Sequence, residues 1–179
     1  SKKLWKICTD NKIPLIYASS AACYGDGEFG FDDSHKFVKK LRPLNPYGES
    51  KNSFDKWVLS QKKSPPFWAG FRFFNVYGPK QDPNGAYAAV IPKWIIAMLN
   101  DQELFINGDG KTTRDFCYIE NVIQANILSA MTENEDSLNQ VYNIAVDDRT
   151  SLQDLYLMMG NLIKSSIEDI LIPDPSYRD

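Results

Sequence analysis

The sequence predicts an α/β fold built on parallel strands. Three observations carry this. Short apolar runs of strand character alternate with segments of helical period along most of the chain. Pro, Gly and Asn-rich clusters punctuate the joins. The 179 residues, 43% of them hydrophobic, suffice for one ordinary globular core. Strands separated by helices imply crossover connections and hence parallel pairing.

The elements follow in chain order. Lys2 to Asp10 closes a helix. Ile13 to Ala18 is a continuous apolar run, a buried strand that ends at Ser19-Ser20. A polar loop rich in Gly and Asp covers residues 25–42. Asn45-Pro46 starts a helix that runs to Gln61, with Asn as N-cap and Pro at the first position. Its apolar residues Phe54, Trp57 and Val58 fall at helical spacing, and Ser64-Pro65-Pro66 breaks it. Phe67 to Val76 is a second buried strand, stopped by Tyr77-Gly78-Pro79. Ala88 to Leu99 is helical, with Val90, Ile91, Trp94, Ile95 and Met98 on one face. Leu104 to Ile106 is a short strand before the turn 107–110, and Asp115 to Ile119 is extended. Glu120 to Met131 is helical and Val141 to Ala145 a strand. Thr150-Ser151 caps a helix carrying Leu152, Leu155, Tyr156, Met159 and Leu162, and Asp169 to Ile172 is a last short strand.

Charge and composition exclude several classes. A net charge of −3 gives no reason to expect a nucleic acid or an anionic membrane as partner. The apolar runs are too short to span a bilayer, and no signal-peptide pattern opens the chain. Cys8, Cys23 and Cys117 lack metal spacing and are expected to be buried, reduced thiols of a cytoplasmic protein. His35, the only histidine, lies in a charged loop and is expected at the surface, so metal catalysis and a Ser-His-Asp triad find little support.

The chemistry concentrates at Tyr47-Gly48-Glu49-Ser50-Lys51. Positions i and i+4 share one helix face, so phenol and ammonium point into the same space. A fixed cation beside a phenol favours the phenolate, which can act as a base. Such a pair arises often by chance and is usually an amphipathic edge. Here it follows a strand that delivers Ser20, and strand, serine, loop and Tyr helix form an ordered set suited to proton abstraction beside a hydride acceptor. The Gly-rich strand-to-helix turn that holds a dinucleotide pyrophosphate does not occur in this sequence. The expectation is that the chain is the C-terminal portion of a longer protein.

Four motifs give the chain a family resemblance: Ser19 to Gly25, Tyr47-x-x-x-Lys51, Arg72-Phe73-Phe74-Asn75-Val76-Tyr77-Gly78-Pro79, and Asn107 to Gly110 followed by Arg114-Asp115-Phe116. Together they resemble the extended short-chain dehydrogenases/reductases, the NAD-dependent sugar-nucleotide epimerases and dehydratases. The resemblance implies the later half of a Rossmann-like parallel sheet with a small C-terminal α/β substrate-binding part. Residues 1–80 would complete the NAD-binding domain, 81–179 would mostly bind substrate, and 116–145 would return to the sheet. NAD is the implied cofactor, a UDP-sugar the implied substrate, and a homodimer using the Tyr47 helix the implied assembly.

The same resemblance assigns roles. Tyr47 is the base for the C4 hydroxyl, Lys51 holds the nicotinamide ribose and favours the phenolate, and Ser20 hydrogen-bonds the C4 oxygen. Phe74 lies against the cofactor and Asn75 contacts diphosphate or sugar. Val90, Lys93 and Trp94 flank the nucleotide, and Phe105, Ile106 and Asn107 cradle uracil. Arg114 pairs with phosphate, and Arg149 is a second candidate for that anion. Alternatives stay open: Arg114 beside Asp115 also suits a local ion pair, Lys93 a solvated lysine, and Val90 and Trp94 a core stripe. Of Phe73 and Phe74, alternation puts one in the core and the other toward the site.

Two relatives compete. Residues 1–79 look most like ADP-heptose 6-epimerases, while the stretch from Gln81 and the later Arg114 to Asn121 resemble UDP-N-acetylhexosamine 4-epimerases. The heptose enzymes carry a second base, a lysine, where Asn84 stands here, which favours the C4 reaction. Dehydratases place Asp-Glu where Ala21 and Ala22 stand, which argues against loss of water. An isolated chain of this kind is also compatible with a truncated, non-catalytic fragment.

Overall fold

The computed structural model describes residues 1–85, 88–106 and 108–163, together with the backbone of Leu171–Pro173. It divides into two compact units. The first comprises Ser1–Phe74 and Ile119–Ala145, the second Asn75–Tyr118 and Val146–Asp179.

The first unit is a three-stranded parallel sheet with its helices. The strands are β1 (Leu15–Ser20), β2 (Trp68–Phe73) and β7 (Gln140–Ile144), in the order β1-β2-β7. The parallel pairing places Ser19 opposite Arg72 and Phe71 opposite Tyr142. Helices α1 (Lys2–Asp10), α2 (Pro46–Leu59) and α4 (Ile119–Met131) belong to this unit. Trp5 and Cys8 of α1, Val58 of α2, Leu15, Trp68 and Val141 form one apolar core. Trp5 meets Trp57 and Trp68 edge-on or tilted, at 6.0 and 5.6 Å between ring centres. Such offset aromatic packing adds to simple area burial.

The start of α2 follows the expected chemistry. Asn45 is extended, its side chain accepts from the Gly48 N–H at 2.8 Å, and Pro46 opens the helix. After β1 the chain makes a short 3-10 turn, Ala21–Tyr24, capped by Ser20. A methyl group on Gly48 would stand 2.5 Å from the Ala22 carbonyl oxygen. Glycine therefore lets the first turn of α2 rest directly on that segment.

The second unit pairs β3 (Asn75–Tyr77) with β6 (Phe116–Tyr118), β4 (Leu104–Ile106) with β9 (Leu171–Pro173), and β5 (Thr113–Arg114) with β8 (Thr150–Ser151). Only β5 and β8 run antiparallel. Helices α3 (Val90–Leu99) and α5 (Leu152–Ile163) bury Trp94, Ala97, Met98, Leu155, Tyr156 and Met159 with Leu104 and Ile106. The Ser151 hydroxyl accepts from the Asp154 N–H at 3.0 Å and donates to its carboxylate at 2.6 Å, which starts α5 where Thr150-Ser151 predicts.

Three expectations change. The strand expected over residues 67–76 is two strands, because β2 pairs with β1 and β7 whereas β3 pairs with β6. The division into units falls between Phe74 and Asn75, and residues 116–118 pair with β3. His35 is half-buried: its Nε2 accepts from the Val141 N–H at 3.1 Å and its ring lies nearly parallel to Trp68. Ile95 and Leu162, placed on apolar faces by periodicity, are exposed, Leu162 at 83%. The three cysteines are buried and unpaired, as expected. Of the last strand, Asp169 and Ile170 lie outside the described residues.

Candidate active site

In the first unit the structure brings Tyr47, Lys51 and Ser20 onto two adjoining elements. Tyr47 sits in the first turn of α2 and is 56% exposed. Lys51, one turn on, has its ammonium 5.5 Å from the Tyr47 ring centre. That ammonium donates to the Ala18 carbonyl of β1 at 2.9 Å, which ties the helix to the strand that carries Ser20. Ser20 ends β1, and its hydroxyl accepts from the Ala22 N–H at 3.2 Å.

Beneath this set lies a buried ionic network. Asp55 and Arg72 have no solvent exposure, and Arg72 Nε donates to Asp55 Oδ2 at 3.0 Å. Ser19 donates to the same oxygen at 3.0 Å and Tyr17 to the other at 3.1 Å. Arg72 Nη1 donates to the Tyr24 hydroxyl at 3.0 Å, which in turn donates to Asn143 at 2.7 Å. Burial pushes the Asp55 carboxyl above its ordinary range, against the pull of Arg72, Ser19, and Tyr17. Burial likewise raises the Tyr17 and Tyr24 phenols and the Cys23 thiol, so all three stay protonated at neutral pH. Among the described residues, Arg72 Nη2 has no hydrogen-bond partner.

Phe74 closes the first unit. It is half-buried, packs near Tyr24 and Phe31, and joins the apolar cluster of Cys23, Tyr24 and Leu41. Phe73 packs edge-on to Phe71.

The second unit holds a cavity of about 720 Å³. Asn75, Val90, Lys93, Trp94, Phe105 and Arg114 line it, with Tyr77, Glu103, Phe116 and Leu152. The lining carries two cations, Lys93 and Arg114, and one carboxylate, Glu103, a balance that suits an anionic group. Trp94 does two jobs, because it lines the cavity and packs in the buried core. Arg114 does not pair with Asp115. Its Nη1 donates to the Thr113 carbonyl at 2.9 Å, while the Asp115 carboxylate accepts the N–H groups of Val146 and Asp147. The Asn75 side chain donates to the Asp115 carbonyl at 2.9 Å. Ile106 is 5% exposed, belongs to the core and does not line the cavity. Arg149 is exposed and does not line it either. Asn107 lies outside the described residues.

From sequence, Asp55 is not singled out and Arg72 enters a motif without a role, although both leave a signal. Tyr47, Lys51 and Asp55 recur every four residues on one helix face. An arginine inside the apolar strand Trp68–Phe73 needs a buried partner.

Residues 1–145 match the model of the NAD dependent epimerase/dehydratase family. The chain belongs to that family. It is 39% identical over 166 residues to ADP-L-glycero-D-manno-heptose-6-epimerase of Fusobacterium nucleatum, covering 87% of this chain and 48% of that protein. Among solved structures, UDP-N-acetylglucosamine 4-epimerase from Methanobrevibacter ruminantium M1 in complex with UDP-N-acetylmuramic acid superposes with a TM-score of 0.85. It is 33% identical, over 98% of this chain and 55% of that one. UDP-glucose 4-epimerase with UDP-glucose from Thermotoga maritima gives 0.76 at 28% identity, over 91% of this chain and 51% of that one. The chain thus spans about half the length of the curated relatives it matches. Among the described residues no helix is long and apolar enough to cross a membrane, and no acidic, His or Cys cluster could hold a metal ion.

Proposed function

We propose that this chain carries the base and the sugar-nucleotide cavity of an enzyme that epimerises a UDP-hexose or UDP-N-acetylhexosamine at C4 through a 4-keto sugar. One observation carries the reading: Tyr47 and Lys51 share a face of α2 that is tied to the strand ending in Ser20, while Asn84 stands where the resemblance puts the second base of the heptose enzymes. Asn84 is exposed, its N–H donates to Asp82 at 2.9 Å, and an amide side chain accepts no proton at neutral pH.

Tyr47 is exposed enough to meet a sugar hydroxyl and takes its proton. Ser20 holds the oxygen left behind. Lys51 spends one donor on Ala18, and its two others suit the ribose hydroxyls of a nicotinamide cofactor and the electrostatic support of the Tyr47 phenolate. The residues present therefore fit the nicotinamide end of NAD. Held there, NAD would supply a reversible hydride acceptor for the sugar carbon. Arg114 and Lys93 suit the diphosphate, with Asn75 beside them. Val90, Trp94 and Phe105 supply apolar surface for the nucleoside.

A second reading is ADP-heptose 6-epimerisation, favoured by the 39% identity to the Fusobacterium nucleatum enzyme. Assays of the full-length protein with UDP-N-acetylglucosamine, UDP-glucose and ADP-heptose decide between them. Interconversion of gluco and galacto forms, lost in Tyr47→Phe, is expected. Turnover of ADP-heptose alone, or unchanged turnover by Tyr47→Phe, overturns the C4 reading. Calorimetry of the isolated chain with NAD and with UDP-sugar tests which ligand it holds unaided.

A further inference from the structure

We infer that Asp55 is a positioning residue for the Tyr47, Lys51 and Ser20 set, acting as a buried clamp between α2 and the sheet. The inference rests on the reading of Tyr47 as a base. Tyr47, Lys51 and Asp55 stand at i, i+4 and i+8 on one face of α2. Each of the latter two is tied to the strand that delivers Ser20: Lys51 through the Ala18 carbonyl, Asp55 through the hydroxyls of Tyr17 and Ser19. Arg72 extends the clamp to β2, where it lies in register with Ser19.

The packing around the clamp has little slack. A methyl group on Gly70 would overlap the Tyr17 ring, so glycine is what lets that phenol reach Asp55. A methyl group on Gly48 would press on the Ala22 carbonyl beside Ser20. The helix is therefore set at two heights, by close backbone approach next to Tyr47 and by the ionic clamp two turns further on. Tyr47 itself is exposed and held by no side-chain hydrogen bond among the described residues, so its place relative to Ser20 derives from the helix beneath it. Misplacing reacting groups by about 1 Å can cost on the order of 100-fold in rate.

The test uses the full-length protein with Asp55→Leu/Arg72→Met, which removes the charges together and fills their volume. Replacing a buried ion pair by apolar residues often leaves stability unchanged. The expected result is a thermal midpoint within a few degrees of wild type, kcat about 100-fold lower with KM within about twofold, and amide exchange over residues 46–51 faster by roughly tenfold. Ser19→Ala, which keeps the ion pair, shifts kcat and exchange in the same direction by less, and carries the test alone if the double variant does not fold. Unchanged kcat, or a fall in kcat with wild-type exchange over 46–51, overturns the clamp. If the wild-type protein epimerises no nucleotide sugar, the reading of Tyr47 fails. Exchange over 46–51 then decides the clamp by itself, and wild-type protection in the variants overturns it.

Discussion

The two units solve the same problem, holding side chains in place, with opposite chemistry. The first sets its strand, serine and helix with a buried ionic network around Asp55 and Arg72. The second sets its cavity walls with an apolar core, in which Trp94 and Met98 of α3 meet Leu155, Tyr156 and Met159 of α5. Ion pairs and hydrogen bonds are directional and fix distance and angle between particular atoms. Apolar packing is non-directional and fixes volume. Under the proposed function, proton abstraction needs the former, whereas a pocket for a nucleoside face needs only shape and a few placed polar groups.

Substitutions can break that contrast. The largest expected effect is on chemistry: Tyr47→Phe should lower kcat by roughly 10²–10⁴-fold, with the thermal midpoint unmoved because Tyr47 is exposed. Steady-state kinetics beside a melting curve checks both halves. Next, Asp55→Ala should destabilise the first unit by about 3–5 kcal/mol, because it leaves Arg72 buried without its counter-charge. Met98→Ala in the second unit should cost about 2–5 kcal/mol through a cavity instead. Denaturant titration separates these mechanisms. Restoring neutrality with Asp55→Leu/Arg72→Met rescues the first, and no charge change rescues the second.

Arg114→Ala should leave stability alone, since Arg114 is exposed, and weaken nucleotide-sugar binding about tenfold or more, the loss of one charge-assisted contact. Calorimetry measures it, and an unchanged affinity removes Arg114 from the anion site.

The smallest effect is a pH dependence confined to the first unit. Burial, and then the Arg72 charge, pull the His35 pKa below its ordinary value of 6.5. Its neutral Nε2 is also the acceptor for the Val141 N–H. As pH falls below 6.5 the unfolded chain binds a proton before the folded one does, so stability declines from there down to the folded pKa. His35→Gln should flatten that decline, and thermal midpoints between pH 7.5 and 5 measure it.

Much of the fold was legible. Periodicity and the Asn45-Pro46 and Thr150-Ser151 signals located α2 and α5, because caps and helix faces are set by residues within one or two turns. The pairing partners of the stretch 68–77 were not legible: an apolar run states that it is buried, not which strand lies beside it. Nor was the fate of Ile95 or Leu162, since a helix face is buried only where a neighbour covers it.

For the site, the sequence by itself determined the spacing of Tyr47 and Lys51 on one helix face, the serine at the end of the preceding strand, and asparagine at position 84. Those are local or compositional facts. Tertiary structure alone decided that Asp55 meets Arg72, that Asp115 turns from Arg114 to the backbone of residues 146–147, and that His35 is drawn inward to Val141. Each joins residues distant in sequence. Burial makes an unpaired charge or donor costly, so these side chains bind whichever partner the folded backbone brings within reach.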